Sequence, residues 1–156
     1  METIRRATEK DMEAIDRLLF AVQKVHSDVR PDLFRAGSKK YTDEQLKDII
    51  NNDETPVFVY ETDGAVKGYA FCVFVKNDHS GSLNPIKTLY IDDLCVDACE
   101  RGNGIGRKLY EYVLNFAKNS GCYNLTLNVW ADNVKAVGFY KALGLNVQKM
   151  GMEKIL

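Results

Sequence analysis

Val96-Asp97-Ala98-Cys99-Glu100-Arg101-Gly102-Asn103-Gly104-Ile105-Gly106-Arg107-Lys108 reads as the end of a strand, a turn with three alternating glycines and the start of a helix. Glycine admits positive φ and lets a ligand approach the backbone closely. A new helix offers unpaired N–H groups and the positive end of its dipole, so the turn suits a phosphate or pyrophosphate. Arg101, Arg107 and Lys108 add positive charge at the same place. The plainer reading is a Gly-rich strand-to-helix turn with no ligand. Two familiar phosphate loops do not fit. A Walker A loop needs Lys-Ser/Thr after its last glycine, whereas Arg107 follows Gly106 and Leu109 follows Lys108. A dinucleotide fingerprint needs Gly-x-Gly-x-x-Gly, and here the third glycine comes one residue early.

The loop divides the chain into two patterns. Before it, Thr3 to Ala7 is β-like and leads to Thr8, an N-cap candidate with Asp11 three residues on. Met12, Ile15, Leu18, Leu19, Val22 and Val25 then recur at helical spacing, and this helix should fray near 27–30 because Pro31 restrains its predecessor. A charged segment runs to Lys40, and Thr42 with Gln45 forms a capping box for a second helix to about Asn51. Thr55 to Glu61, Gly68 to Lys76 and Lys87 to Asp97 read as three strands of an antiparallel meander, the first two joined by an Asp63-Gly64 turn. After the loop, Ile105, Leu109, Tyr112, Val113 and Phe116 share one helical face that Gly121 closes. Tyr123 to Val129 is a strand, Asn133 to Leu143 a helix ended by Gly144, and Leu145 to Val147 and Gly151 to Ile155 read as the last strands. The expectation is a mixed α/β (α+β) domain over residues 1–156: a meander, then a βαβ crossover.

Composition narrows the function. The 156 residues carry 21 Lys and Arg against 22 Asp and Glu, a net charge of −1, so the basic excess of a nucleic-acid binder is missing. The opening METIRRATEKDM is charged, and no apolar run approaches the roughly 20 residues of a membrane span. Cys72, Cys95, Cys99 and Cys122 form no Cys-x-x-Cys pair and have no spaced histidines, so neither a metal site nor a disulfide framework is expected. Reduced, mostly buried thiols in a cytoplasmic protein are the reading.

The order Arg101, Gly104, Gly106 (Arg-x-x-Gly-x-Gly) resembles the acyl-CoA-binding motif of the GNAT superfamily of N-acetyltransferases. IRRATEKD is similar to that family's first strand and turn, and TLYIDDLCVD to the strand before its pyrophosphate loop. NVKAVGFYKALGL resembles its later Asn-x-x-Ala-x-x-x-Tyr-x-x-x-Gly signature, with Leu145 where phenylalanine is commoner. The resemblance covers essentially the whole chain in order and is strongest from Leu89 to Leu145. It implies a mixed sheet of about seven strands with about four helices, acetyl-CoA as co-substrate and a primary amine of a small molecule or peptide as acceptor. It also implies that the backbone of Arg101, Gly102, Asn103, Gly104, Ile105 and Gly106 holds the CoA pyrophosphate, with Arg107 at the edge. Leu94, Cys95 and Val96 would pair with the pantetheine arm, where strands near 94–97 and 125–129 splay, and Asn133 would bond to the cofactor. Tyr140 matches the family's usual general acid. A homodimer is implied because family members are often dimers.

The base is less directly marked. Asp92 stands where some small-amine acetyltransferases of the family carry glutamate, and could take the amine proton directly, take it through water, or only attract the amine. Asp92 and Asp93 should alternate sides of the strand, one facing the acceptor groove. His26, Asp28, Arg30, Asp32 and Arg35, between the first two helices, are candidate acceptor contacts, each with the alternative of a plain surface charge. Trp130 reads as packing near the pantetheine, and His26 and His79 belong to no paired motif. A non-catalytic acyl-CoA-binding module and a nucleotide-phosphate binder of another fold are the competing classes.

Overall fold

A computed structural model of the protein describes residues 1–76 and 81–156. Five strands form one sheet in the order β1 (Glu2–Arg6), β2 (Val57–Thr62), β3 (Ala65–Lys76), β4 (Lys87–Val96) and β5 (Asn124–Leu127). β1 to β4 pair antiparallel, and β5 runs parallel to β4 after the crossover through helix α3 (Ile105–Asn119). The meander and the βαβ unit thus stand where the sequence pattern puts them.

Alternation along β2 and β3 divides the apolar residues between two layers. Val57, Val59, Tyr69 and Phe71 pack with Ile15, Leu18 and Leu19 of α1 (Met12–Val29) and with Leu46 and Ile50 of α2 (Asp43–Ile50). Phe58, Ala70, Cys72, Leu89 and Ile91 pack with Ile105, Leu109, Val113 and Ala117 of α3 on the other face. Burying a leucine- or phenylalanine-sized side chain contributes about 1.5–3 kcal/mol, so these layers are the main stabilising term. The local signals act as expected. The Thr42 hydroxyl accepts from the Gln45 amide at 3.1 Å while the Gln45 side chain accepts from the Thr42 amide at 2.9 Å. At the start of α1 the Asp11 carboxylate accepts from the Thr8 amide at 2.8 Å and from both ends of the Arg5 guanidinium at 2.8 and 2.9 Å.

Two expectations need correction. The sheet has five strands, not about seven, because residues 145–147 and 151–155 form none. A strand exists only where its amides and carbonyls find a ladder partner, and residues 146–156 are exposed with no such partner among the described residues. The second concerns β4. Phe71 pairs with Asp93 and Cys72 with Ile91, so Asp92 is the extra residue of a β-bulge. The bulge cancels the alternation, and both aspartates face the α1/α2 layer: Asp92 reaches Tyr41, which packs on that layer, and Asp93 reaches Tyr69 within it.

Candidate active site

β4 and β5 are paired from Thr88 and Asn124 as far as Ile91 and Leu127, and no further. Beyond that point Leu94, Cys95 and Val96 are bonded to β3 on one side, through Ala70, Tyr69 and Gly68, while their other edge has no strand partner among the described residues. The ladder between the two strands therefore ends at the bulge, ahead of residues 94–96, where the splay is expected.

The open edge leads directly into the glycine loop. Asp97 turns the chain: its carboxylate accepts from the Cys99 amide at 3.1 Å and is fixed by Arg17 at 2.7 Å, which holds its pKa below the usual carboxylate range. A single 3-10 turn, Ala98–Glu100, follows. Gly102 and Gly104 then take φ of 89° and 76°, in the left-handed region that a side chain disfavours. Gly104 is the N-cap of α3, with no side-chain oxygen capping the first turn and no acidic residue in it. The first backbone bond of the helix is Lys108 N–H to Gly104 C=O at 3.0 Å, so the amides of Ile105, Gly106 and Arg107 point out of the helix end. Arg101, Gly102, Asn103 and Gly104 are exposed and Ile105 is buried as the loop's anchor in the core. Arg101 has no ion-pair partner among the described residues, whereas Arg107 lies 3.6 Å from Glu111 and Lys108 is drawn to Glu2 at 2.7 Å. Gly106 has a separate use: a Cβ there would meet the Phe139 ring at 3.1 Å, so its absence lets α3 and α4 (Val134–Ala142) touch.

Helix α4 carries the other two residues of interest. The Asn133 side-chain oxygen caps α4 by accepting from the Ala136 amide at 3.2 Å, which leaves its amide N–H groups without a partner among the described residues. Tyr140 is half-buried, and its pKa is pushed up to about 12, first by burial and then by Asp93 and Cys95. Its phenol therefore keeps its proton at neutral pH and stands electrostatically next to the aspartate end of β4.

The floor and wall of this region come from residues that local pattern does not mark. The Tyr41 hydroxyl donates to Asp92, and Lys40 makes an ion pair with the same carboxylate at 3.1 Å. Behind it, the Tyr69 hydroxyl donates to Asp93 at 2.7 Å, and burial raises the Asp93 pKa. Phe34 stacks on His26 at 4.9 Å and meets Trp130 edge-on at 5.4 Å, tying the α1–α2 segment to the loop before α4. Burial lowers the His26 pKa, with Asp93 opposing that shift and Lys40 adding to it. Of the candidates between the first two helices, only His26 joins this cluster. Asp28 pairs with Lys24 at 3.1 Å, Arg30 with Asp32 at 2.8 Å and Glu153 at 2.7 Å, and Arg35 is exposed. Tyr41, Tyr69 and Phe34 were not singled out from the sequence. Their partners lie 51, 24 and 96 residues along the chain, so no local spacing announces them. His79 lies outside the described residues. Cys72 and Cys95 are buried, Cys122 is half-buried, Cys99 is exposed, and all four thiols are free. Among the described residues no helix is long and apolar enough to cross a membrane.

An open strand edge thus runs into an uncapped, glycine-rich helix start, with outward-pointing amides suited to an anion. Residues 22–145 match the Acetyltransferase (GNAT) family, and the chain belongs to that family of acyltransferases. It is 27% identical, over 95% of its length, to an uncharacterized N-acetyltransferase of Methanocaldococcus jannaschii, and spans 62% of that relative, less than two thirds. It is 29% identical, over 94% of its length, to the peptidyl-lysine N-acetyltransferase YjaB of Salmonella typhimurium, of which it spans 85%. A crystal structure of a mutant protein from Bacillus halodurans is similar at a TM-score of 0.94 and 31% identity, covering 99% of both chains.

Proposed function

We propose that this protein is a cytoplasmic N-acetyltransferase that moves an acetyl group from acetyl-CoA to a primary amine of a small molecule or peptide, by direct attack in a ternary complex. The observation that carries this reading is the continuity of the open β4 edge with the uncapped glycine loop, with the Tyr140 phenol beside it. The residues present fit the cofactor. The pyrophosphate is held by amides of Arg101, Gly102, Asn103, Gly104, Ile105 and Gly106, with the unpaired Arg101 and neighbouring Arg107 supplying positive charge. The main chain of Leu94, Cys95 and Val96 takes the pantetheine amides, and the free side-chain amide of Asn133 adds a donor. Bound acetyl-CoA supplies the thioester carbonyl that the amine attacks.

The chain's own groups then handle the protons. As the new C–N bond forms and the C–S bond breaks, Tyr140 would give its proton to the departing sulfur, and the surplus proton on the new amide nitrogen would restore the phenol. A positioned acid of this kind contributes about 10²–10⁴-fold in rate. The amine arrives as an ammonium ion and must lose a proton first. Asp92, held by Tyr41 and Lys40, draws it in and takes that proton through water, with the second carboxylate of Asp93 behind it. Aspartate is short for direct transfer, which is why a water bridges the step. The acidic floor and the aromatic wall of His26, Phe34 and Trp130 favour an extended cationic acceptor such as a lysine-like amine.

The test is titration of acetyl-CoA into the purified protein by calorimetry, with NAD and ATP as controls, followed by turnover with a panel of primary amines. Selective binding in the micromolar range followed by amine acetylation is the expected result. Equal binding of all three, or no binding, would overturn the cofactor assignment. Binding without turnover of any amine would leave an acyl-CoA-binding module in place of an enzyme.

A further inference from the structure

Two lysines stand side by side between α1 and α2, and they are used differently. Lys39 is a clasp: its ammonium bonds Asp16 of α1 at 2.6 Å and also Asp43 of α2, with 16% of its side chain exposed. Gln23 of α1 donates to the Arg35 carbonyl at 2.9 Å and to the Ser38 hydroxyl at 3.3 Å. Tyr41 packs on Phe71 of the core, with ring centroids 5.3 Å apart. The backbone around Lys40 is thereby pinned before and after it.

Lys40 instead reaches β4. Its ammonium lies 3.1 Å from the Asp92 carboxylate and donates to the Asp92 carbonyl at 3.2 Å, with the Tyr41 ring centroid 5.6 Å away. A carboxylate, a carbonyl and an aromatic face are the groups that recognise a primary ammonium. The Tyr41 hydroxyl holds the same carboxylate independently of Lys40. The Lys40 side chain is 41% exposed, and an ion pair so open to water is weak enough to part readily. With the backbone pinned, parting takes only rotation of the side chain. Asp93, the next residue of β4, is favoured as an anion by Lys40 and in turn raises the pKa of the Tyr140 phenol. The lysine therefore stands at the same end of β4 as the proposed proton donor.

We propose that the Asp92 carboxylate and carbonyl, with the Tyr41 ring, form a seat for a primary alkylammonium ion, which Lys40 fills from within the chain and which an acceptor amine takes by displacing it. This deepens the acceptor half of the proposed function and rests on it. Lys40 is a resident example of the ligand class, an unbranched chain ending in a primary ammonium. Its tether keeps it at a local concentration on the order of millimolar. An acceptor must therefore be abundant or bring contacts that Lys40 lacks, and the aromatic wall of His26, Phe34 and Trp130 offers such contacts to a longer amine. Lys40 acts as a filter: a small amine leaves it in place, and a lysine-like acceptor that also touches the wall displaces it.

Calorimetry without acetyl-CoA tests it, with n-butylammonium chloride as the probe and the native protein, Lys40→Met and Lys40→Gln as hosts. Removing the competitor is expected to tighten binding about fivefold in both variants, in keeping with the strength of a half-exposed ion pair. A lysine that merely steadied Asp92 would weaken the site when lost. Equal or weaker binding to either variant, or no binding to any form, would therefore overturn the seat. In protein labelled with 13C at the lysine Cε, the Lys40 signal is assigned by its absence from Lys40→Met. It is expected to shift as the probe is added, toward its position in Asp92→Asn. A Lys40 signal that stays while the probe binds would refute displacement. Acetyl-CoA enters neither measurement. A failed seat in a protein that still binds acetyl-CoA leaves the cofactor assignment intact, and displacement of Lys40 in a protein that transfers no acetyl group leaves the seat intact.

Discussion

The Tyr69 hydroxyl donates to Asp93 at 2.7 Å, and the pair sits one residue past the bulge at Asp92. Without that bulge Asp93 would face the α3 layer, with no tyrosine opposite it in β3. The bulge instead puts a buried carboxyl beside a phenol, at the place where β4 and β5 part. Burial raises the Asp93 pKa above its unfolded value of about 3.9. Its favourable contribution is therefore complete below about pH 4 and is lost as pH rises through the folded value. Asp93→Asn keeps an oxygen for Tyr69 and removes that loss. Thermal melts from pH 4 to 8 are expected to show the variant gaining on the native protein as pH rises. Parallel pH profiles would show that Asp93 does not titrate in this window.

Tyr140→Phe removes one hydroxyl that has no hydrogen-bond partner among the described residues. Acetyl-CoA affinity is expected to stay within about twofold, while kcat falls at least tenfold, toward the 10²–10⁴-fold loss of a positioned acid. Calorimetry and steady-state rates separate the two effects, and unchanged turnover would take Tyr140 out of the chemistry.

Asp92→Asn leaves Tyr41 and Lys40 without an anionic partner. For a cationic amine, kcat/KM is expected to drop by about tenfold or more and its dependence on pH to change shape. A neutral acceptor analogue should be affected less. If the pH–rate profile does not move, Asp92 has no part in removing the proton.

Arg5 joins three pieces of chain: its guanidinium bonds Asp11 at 2.8 and 2.9 Å and Glu61 at 2.6 Å. Arg5 holds the Asp11 carboxyl below the usual range, so the stabilisation is present above about pH 4 and is lost as pH falls through the folded value. Arg5→Ala strands a nearly buried carboxylate and should cost about 1–3 kcal/mol at pH 7. Urea unfolding should show that penalty shrinking toward pH 3, and a penalty independent of pH would assign it to packing.

Much of this molecule is written in short-range pattern. The Thr42/Gln45 box, the Asp63-Gly64 turn and the strand-to-helix glycine turn each depend on residues within a turn of one another and stand as read, whereas the apolar face of α3 buries Tyr110 and Ala117 with Ile105, Leu109 and Val113 and leaves the expected Tyr112 exposed. The bulge at Asp92 was not legible, because strict alternation is the default and the extra residue shows only in the register against β3. Tyr41 and Tyr69 were missed for a related reason, since their aspartate partners are brought to them by tertiary structure. The strands expected at 145–147 and 151–155 carry suitable residues, but a ladder needs a neighbour, and none stands beside them among the described residues.

The 3.1 Å gap between the Phe139 ring and the place where a Cβ would stand on Gly106 has a mechanical meaning. Phe139 precedes Tyr140, so the second residue of one helix sets how near the next helix, and its phenol, may come. A larger residue at 106 would act as a wedge, moving the Tyr140 phenol, the proton donor proposed above, even if the loop kept its backbone course. The glycine is in that sense a gauge block: its missing side chain fixes the distance between α3 and α4, and with it where the Tyr140 phenol stands.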